Sequence, residues 1–242
     1  MFSRIIKKWW RLLLGSRDES LVEVRNRALS RMVLKFSAAK GIQVSRSLLD
    51  VGCGGGELSR YFHAIFKEMV LLDISRKALK VAKCRLPSSF CVCADAHHLP
   101  FRDGVFSQVH ALSVIEHLRN PEKFLREASR VLSGKGFLVV QIPNPRFLVE
   151  LHTGMVLPFL MTRAIKNGIM SAAFPGLYIN WSVTRNNLLH KLSKLFTDVN
   201  VTEFNYPKEA ISRPVRLLFV IAERLGLLRM FPMGYIIIAR KV

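Results

Sequence analysis

A chain of 242 residues that is 50% hydrophobic can bury one sizeable core, which excludes a wholly disordered protein and fits one domain with a small cap. Lysine and arginine number 37 against 17 aspartate and glutamate, a formal charge of +20, and the excess lies in the flanks. Residues 1–46 hold 11 basic and 3 acidic residues and 146–242 hold 13 and 5, whereas 47–145 hold 13 and 9, so an anionic partner outside the central third is expected: a membrane surface or nucleic acid.

Residues 2–14 are expected to form a short amphipathic helix. Arg4, Lys7, Lys8 and Arg11 fall in one arc, while Trp9, Trp10 and six large apolar residues fill the other. That pattern suits a helix lying in a membrane interface, and equally one docked on the protein's own core or on a partner. The basic residues interleave with the apolar ones, so no secretory signal is expected. No run of about 20 apolar residues occurs, so no spanning helix is expected either. A second helix over 19–40 completes an N-terminal extension, 1–40.

From 41 to 145 strands alternate with helices. Strands are expected at 47–51, 69–73, 90–95, 105–114 and 136–142, and helices at 57–66, 75–84 (capped by Ser75) and 121–132. This order predicts an α/β domain with a mostly parallel sheet covered on both faces. After Pro143-Asn144-Pro145 the alternation stops. Residues 146–181 are apolar and irregular and are expected to form a substrate lid. The remainder, 182–242, predicts a helix over 184–196, a strand over 199–204, a basic and apolar helical stretch over 209–230 and a final strand over 234–239. Cys53, Cys84, Cys91 and Cys93 make no disulfide framework, and Cys91 and Cys93 are too close for a CxxC zinc pair. They read as small side chains in a reducing, cytoplasmic compartment.

The chemistry concentrates where the first strand runs into Gly52-Cys53-Gly54-Gly55-Gly56 and then a helical stretch. Glycines there permit a tight turn and close approach of backbone to a ligand, and a following helix would offer unpaired N–H groups. Asp73 ends the next strand and can accept hydrogen bonds from a ribose diol, which fits a dinucleotide or an adenosyl ligand alike. Two further acids separate these. Asp50, two positions before Gly52, would repel a pyrophosphate but suits a cationic amine. Asp95, after the third strand, can receive an adenine amino group. An ammonium, a ribose diol and an exocyclic amine occur together in S-adenosylmethionine. The candidate cofactor-binding set is Asp50, Gly52, Cys53, Gly54, Gly56, Asp73, Ile74, Asp95, Ala96 and Ser113.

On these residues the chain resembles the class I S-adenosylmethionine-dependent methyltransferase superfamily over roughly 47–145. Leu-Leu-Asp-Val-Gly-Cys-Gly-Gly-Gly (48–56) resembles its first motif, and Leu-Leu-Asp-Ile-Ser (71–75) its ribose motif. Ala-Asp-Ala-His-His-Leu-Pro-Phe (94–101) and Val-Ile-Glu-His-Leu (114–118) are similar to motifs of the ubiquinone/menaquinone-biosynthesis type. The resemblance implies a Rossmann-like seven-stranded sheet with helices on both faces and the last strand antiparallel. Relatives with Glu-x-x-Glu-His bind a divalent metal; Ser113 stands in place of the first Glu here. Glu116 and His117 alone are a thin site, so no metal is expected.

Methyl transfer from a sulfonium is an in-line displacement in which alignment dominates. His117, just past the fourth strand, is the candidate general base. The lid, the N-terminal stretch and 209–230 interleave basic with large apolar residues, which suits a small or lipid-linked acceptor handled peripherally at an anionic membrane. RNA is the alternative acceptor, although recognisable stacking platforms are lacking. A cofactor-binding scaffold without turnover is the third reading.

Overall fold

The computed structural model describes residues 19–42, 47–147, 160–173, 176–211 and 213–242. The expected helix over 2–14 and much of the expected lid, 148–159, lie outside the described residues. The elements in chain order are α1 (Glu19–Ala39), β1 (Ser47–Val51), α2 (Arg60–His63), β2 (Glu68–Asp73), α3 (Arg76–Arg85), β3 (Phe90–Cys93), β4 (Phe106–Leu112), α4 (Pro121–Val131), β5 (Leu132–Pro143), α5 (Arg163–Ala173), α6 (Arg185–Leu192), β6 (Phe196–Phe204), α7 (Arg213–Arg224), α8 (Leu227–Met230) and β7 (Gly234–Lys241).

One seven-stranded sheet runs in the order β3-β2-β1-β4-β5-β7-β6. The pairs among β1 to β5 are parallel, and β7 lies antiparallel between β5 and β6. The expected doubly wound sheet with an antiparallel last strand is what forms. Strands buried on both faces have continuous apolar runs, and here neighbouring residues of one run serve opposite cores. Leu49, Leu72, Val140 and Ile237 join Phe124, Leu125 and Ala128 of α4 and Leu188 and Leu192 of α6. Leu48, Leu71, Val139, Ile236 and Ile238 join Leu29 and Val33 of α1, Phe62 of α2 and Leu79 and Ala82 of α3. His110 sits inside the second layer: its Nε2 pairs with Gln108 Oε1 at 3.2 Å and its ring meets Phe62 edge-on at 4.9 Å. Burial holds its pKa down to about 3, so it is a neutral core residue.

Helix starts follow side-chain caps. Ser75 Oγ accepts from the Ala78 N–H, and Thr184 Oγ1 from the Asn187 N–H. Asn120 Oδ1 accepts from the Lys123 N–H, with Pro121 at the first helical position, where its missing N–H costs nothing.

Several expectations shift. The helix expected over 184–196 ends at Leu192, the strand expected from 199 begins at Phe196, and the fifth strand starts at Leu132, four residues early. The helix placed over 57–66 is helical only at Arg60–His63, because residues 53–58 are spent in turns that close the glycine loop. The helical stretch over 209–230 breaks at Gly226, whose φ of 71° is left-handed, into α7 and α8. Inside the lid, irregular in expectation, α5 forms.

Two substitutions test this account. Phe124→Ala empties a fully buried site between α4 and the sheet and is expected to cost about 3–5 kcal/mol. Asn120→Ala removes only a cap and should cost about 1 kcal/mol. Urea unfolding measures both; equal losses would contradict this division between core and cap.

Candidate cofactor cleft

The sheet order turns outward at β1, which has β2 on one side and β4 on the other, and a crevice opens at the carboxyl ends of these strands. The glycine loop caps it. The Gly52 and Cys53 N–H groups both reach the Leu72 carbonyl, at 2.7 and 3.1 Å, so the loop leaves β1 still tethered to β2. Gly52, Gly54 and Gly56 all have left-handed φ, at 68°, 56° and 75°. Gly52 has a second constraint: a Cβ there would lie 2.5 Å from Val114 Cγ2 at the tip of β4. At Gly54 the nearest atom to such a Cβ is a Glu57 carboxylate oxygen at 3.8 Å, so this backbone is open to an incoming ligand.

The three acids occupy different depths. Asp73 is half-buried; its Oδ2 accepts from the Gly54 N–H at 2.9 Å and its Oδ1 from the Ser75 N–H at 2.8 Å. It therefore fixes the loop and the start of α3 together, and each oxygen retains a lone pair for a diol. Ile74 beside it is 73% exposed, an apolar surface against which a flat base can lie. Asp95 is exposed and follows the end of β3 by two residues. Its Oδ1 accepts from the His97 backbone N–H at 2.9 Å and pairs with His97 Nδ1 at 2.6 Å, and these bonds hold its carboxyl below the usual range, the backbone bond first. Ala96 is buried behind it.

Asp50 is the deep one. It is buried beneath the loop, with Oδ2 accepting from Ser59 Oγ at 2.6 Å. Burial pushes its carboxyl up to about 6; the Ser59 bond pulls it down and the nearby Asp73 charge pushes it up again. Asp50 thus lies beneath the glycine loop, where a cation seated on the loop would meet its charge from underneath. Cys53 is buried as expected of a small side chain, and burial first, then Asp50 and Asp73, raises its thiol pKa strongly, so it stays protonated. Ser113, at φ 58°, turns the chain off β4, its Oγ donating to Gln141 Oε1.

Four positioning residues carried no sequence signal. Ser59 lies nine residues from Asp50, reaching it only because the glycine loop folds back. Arg130 donates to the Leu99 and Phe101 carbonyls and to Glu127, whose Oε2 in turn accepts from the Leu99 N–H; together they clamp the loop that follows Asp95. Asn180 donates its N–H to the Glu116 carbonyl and its Nδ2 to the Leu118 carbonyl, fastening the segment before α6 over the tip of β4. His117, half-buried there, pairs through Nδ1 with the Tyr178 carbonyl at 2.7 Å. A carbonyl can only accept, so Nδ1 carries the proton and Nε2 is the basic nitrogen of the neutral ring.

The raised Asp50 pKa makes a signed prediction. A folded-state pKa above the ordinary 3.8 means the native state holds its proton longer than the unfolded chain, so stability falls as pH rises from about 4 to about 6. Relative to Asp50→Asn, the wild type should be equally stable below pH 4 and less stable at pH 7, by roughly 2–3 kcal/mol. Urea unfolding of both chains without cofactor at pH 4 and 7 measures the gap; a wild type at least as stable as the variant at pH 7 would refute it.

An open Gly54 backbone, an exposed apolar face at Ile74, acceptors at Asp73 and Asp95 and a carboxylate below the loop fit an adenosyl amino acid with a positive charge. Comparison with known proteins agrees. Residues 49–140 match the methyltransferase domain family. A protein of Methanocaldococcus jannaschii is 34% identical over 58% of this chain and 56% of its own length. The ubiquinone biosynthesis O-methyltransferase of Chromobacterium violaceum is 26% identical over 59% of this chain and 61% of its own. The chain thus spans little more than half the length of these curated relatives. A S-adenosylmethionine-dependent methyltransferase structure from Thermotoga maritima superposes with a TM-score of 0.60 at 16% identity, covering 96% of this chain and 99% of that one, a likeness of fold. Over residues 49–140 the chain is thus similar to the methyltransferase domain family, and a Mycobacterium tuberculosis relative named as a probable S-adenosylmethionine-dependent methyltransferase, 28% identical over 54% of this chain and 48% of its own length, supports S-adenosylmethionine as the cofactor.

Proposed function

We propose that this chain methylates an apolar, lipid-linked small molecule at an anionic membrane surface. The observation that carries this reading is the outer face of α7. Leu217, Ile221 and Leu225 are spaced by four residues, and all three are exposed, while Phe219 and Ala222 turn inward. Met230 of α8 is exposed too, and Arg224 and Arg229 are exposed among these residues. Single exposed leucines mean little; a row of them bordered by arginines on a chain of +20 suits an acidic lipid surface. Arg216 contributes less than its sequence position suggests, because its guanidinium is tied to the Ile211 carbonyl.

Beneath the same helix an open cavity of about 720 Å³ sets Tyr206, Pro207, Phe219 and Leu228 among the polar side chains of Glu203, Asn205, Lys208, Glu223 and Arg229, which suits an acceptor with polar groups on an apolar body. β6 runs parallel to β5, so its end at Phe204 shares the sheet edge with the glycine loop. Tyr206 lies within electrostatic reach of Glu116, the neighbour of His117; its hydroxyl is raised to about 12, mainly by burial. The relative named for ubiquinone biosynthesis supports an acceptor of this class.

Bound S-adenosylmethionine supplies a methyl carbon on a good leaving group. The protein's share is alignment, which can contribute on the order of 7–11 kcal/mol, and removal of the acceptor proton. His117 Nε2 takes that proton, with the Tyr178 carbonyl holding the ring and steadying the charge it acquires.

Flotation with vesicles of phosphatidylglycerol and phosphatidylcholine tests the membrane reading. The wild type should float with acidic vesicles, and the Leu217→Ser, Ile221→Ser, Leu225→Ser triple variant should sediment while still binding S-adenosylhomocysteine. Salt-sensitive binding to tRNA with no flotation would move the acceptor to RNA. For the base, His117→Gln should slow methyl transfer from S-adenosylmethionine to acceptors in a lipid extract by about 10²–10⁴-fold with cofactor affinity unchanged; a rate within a factor of three of wild type would remove His117 from the mechanism.

A further inference from the structure

α5 is turned inside out. Lys166 is buried, 8% exposed, whereas its neighbour Ile165 is 53% exposed and Arg163, Ala164, Asn167 and Gly168 are exposed as well. A helix packed only for stability would bury the isoleucine and snorkel the lysine. Lys166 Nζ stands 4.8 Å from the centre of the Trp181 ring. The stem of the lysine is buried while the indole face draws its ammonium, a placement that favours an anion beside it. Among the described residues no carboxylate or carbonyl pairs with this ammonium. Arg163, one turn earlier, adds a repelling charge, and burial together with that charge holds the lysine below its usual pKa.

Trp181 has a deficit of its own. Its Nε1–H is buried and meets no acceptor among the described residues. Met161, Ile169, Leu177 and Ile179 pack with Trp181 in one apolar cluster. Buried donors are nearly always satisfied, so the Trp181 N–H, with an ammonium standing beside its ring, marks a place for a missing acceptor that carries negative charge. The place is specific. The same segment lends the Tyr178 carbonyl to His117 and fastens Asn180 to the carbonyls of Glu116 and Leu118, which puts the pair over the loop at the tip of β4.

We propose that Lys166 and Trp181 form an anion subsite that holds an oxyanionic group of an apolar acceptor close to His117. The group's shared chemistry is an anionic oxygen on a hydrophobic body, whether carboxylate or phosphate. Naming that molecule the acceptor rests on the methyltransferase reading; the binding of the anion does not.

The probes are octanoate and phenyl phosphate, with octanol as the neutral control, titrated into the full chain. The Trp181 indole N–H resonance, identified by its loss in Trp181→Phe, reports occupancy by ¹H–¹⁵N NMR. Both or one of the anions should shift it and octanol should not; the tighter anion tells carboxylate from phosphate. Lys166→Met and Lys166→Gln should weaken the anion about tenfold or more, the loss of a charged hydrogen bond, and Lys166→Arg should recover part of it. Calorimetric binding of S-adenosylhomocysteine by each variant verifies the fold. The proposal is overturned if neither anion shifts the resonance, if octanol shifts it equally, or if both neutral variants bind the anions as wild type does. Failure of the wild type to bind S-adenosylhomocysteine would sink the methyltransferase reading alone.

Discussion

A carboxylate held under a glycine loop is uncomfortable by construction. Asp50 has one hydrogen-bond donor, Ser59, and a like charge nearby in Asp73, so its ionised form is disfavoured until a cation arrives. Asp73 cannot move away, because it anchors both Gly54 and Ser75. The chain is strongly basic, yet at this one crevice it gathers negative potential. A pyrophosphate would meet three acids there, whereas an ammonium and a sulfonium relieve them. Selection of the ligand is therefore electrostatic before it is steric.

The rest of the fold serves that crevice. Leu48 and Leu49, or Leu71 and Leu72, face opposite cores, so β1 and β2 are gripped from both sides and their tips are fixed. Val114 abuts Gly52 from β4, and Arg130 holds the Asp95 loop from α4. Each wall of the cleft is thus braced by a different element behind it, which holds Asp50 and Asp73 near one another against their mutual repulsion.

Much of this could be read from the chain. The bounds of β1, the Ser75 cap and the Pro121 start have local causes, and local causes are visible in sequence. The shortened α2 was not: a period-3.6 pattern over 57–66 reports only which residues are apolar, and the buried Phe62 and Phe66 satisfy it whether the backbone between is helix or turn. The depth of Asp50 was hidden for a similar reason. Strand alternation gives a side but no depth, and depth came from Ser59 folding back across the loop. The Asp95 pairing with His97 joins residues two apart, but only the turn after β3 makes them meet.

Where the sequence pattern and the structure disagree, the disagreement has a direction. In the sheet and its covering helices most large apolar residues are buried. In α5, α7 and the segment before α6 that rule weakens: Ile165, Leu217, Ile221 and Leu225 face out, while Lys166 and the Trp181 N–H face in. Natural sequences break local rules where another demand outweighs stability. Both reversals lie in segments after β5, the part of the chain outside the 49–140 domain match. The cofactor half concentrates its strain at Asp50, and the other half carries its own at these outward apolar and inward polar positions. A hydrophobic body that presents an anionic oxygen and is delivered from an acidic surface would satisfy both reversals at once, and a freely soluble, uncharged acceptor would satisfy neither.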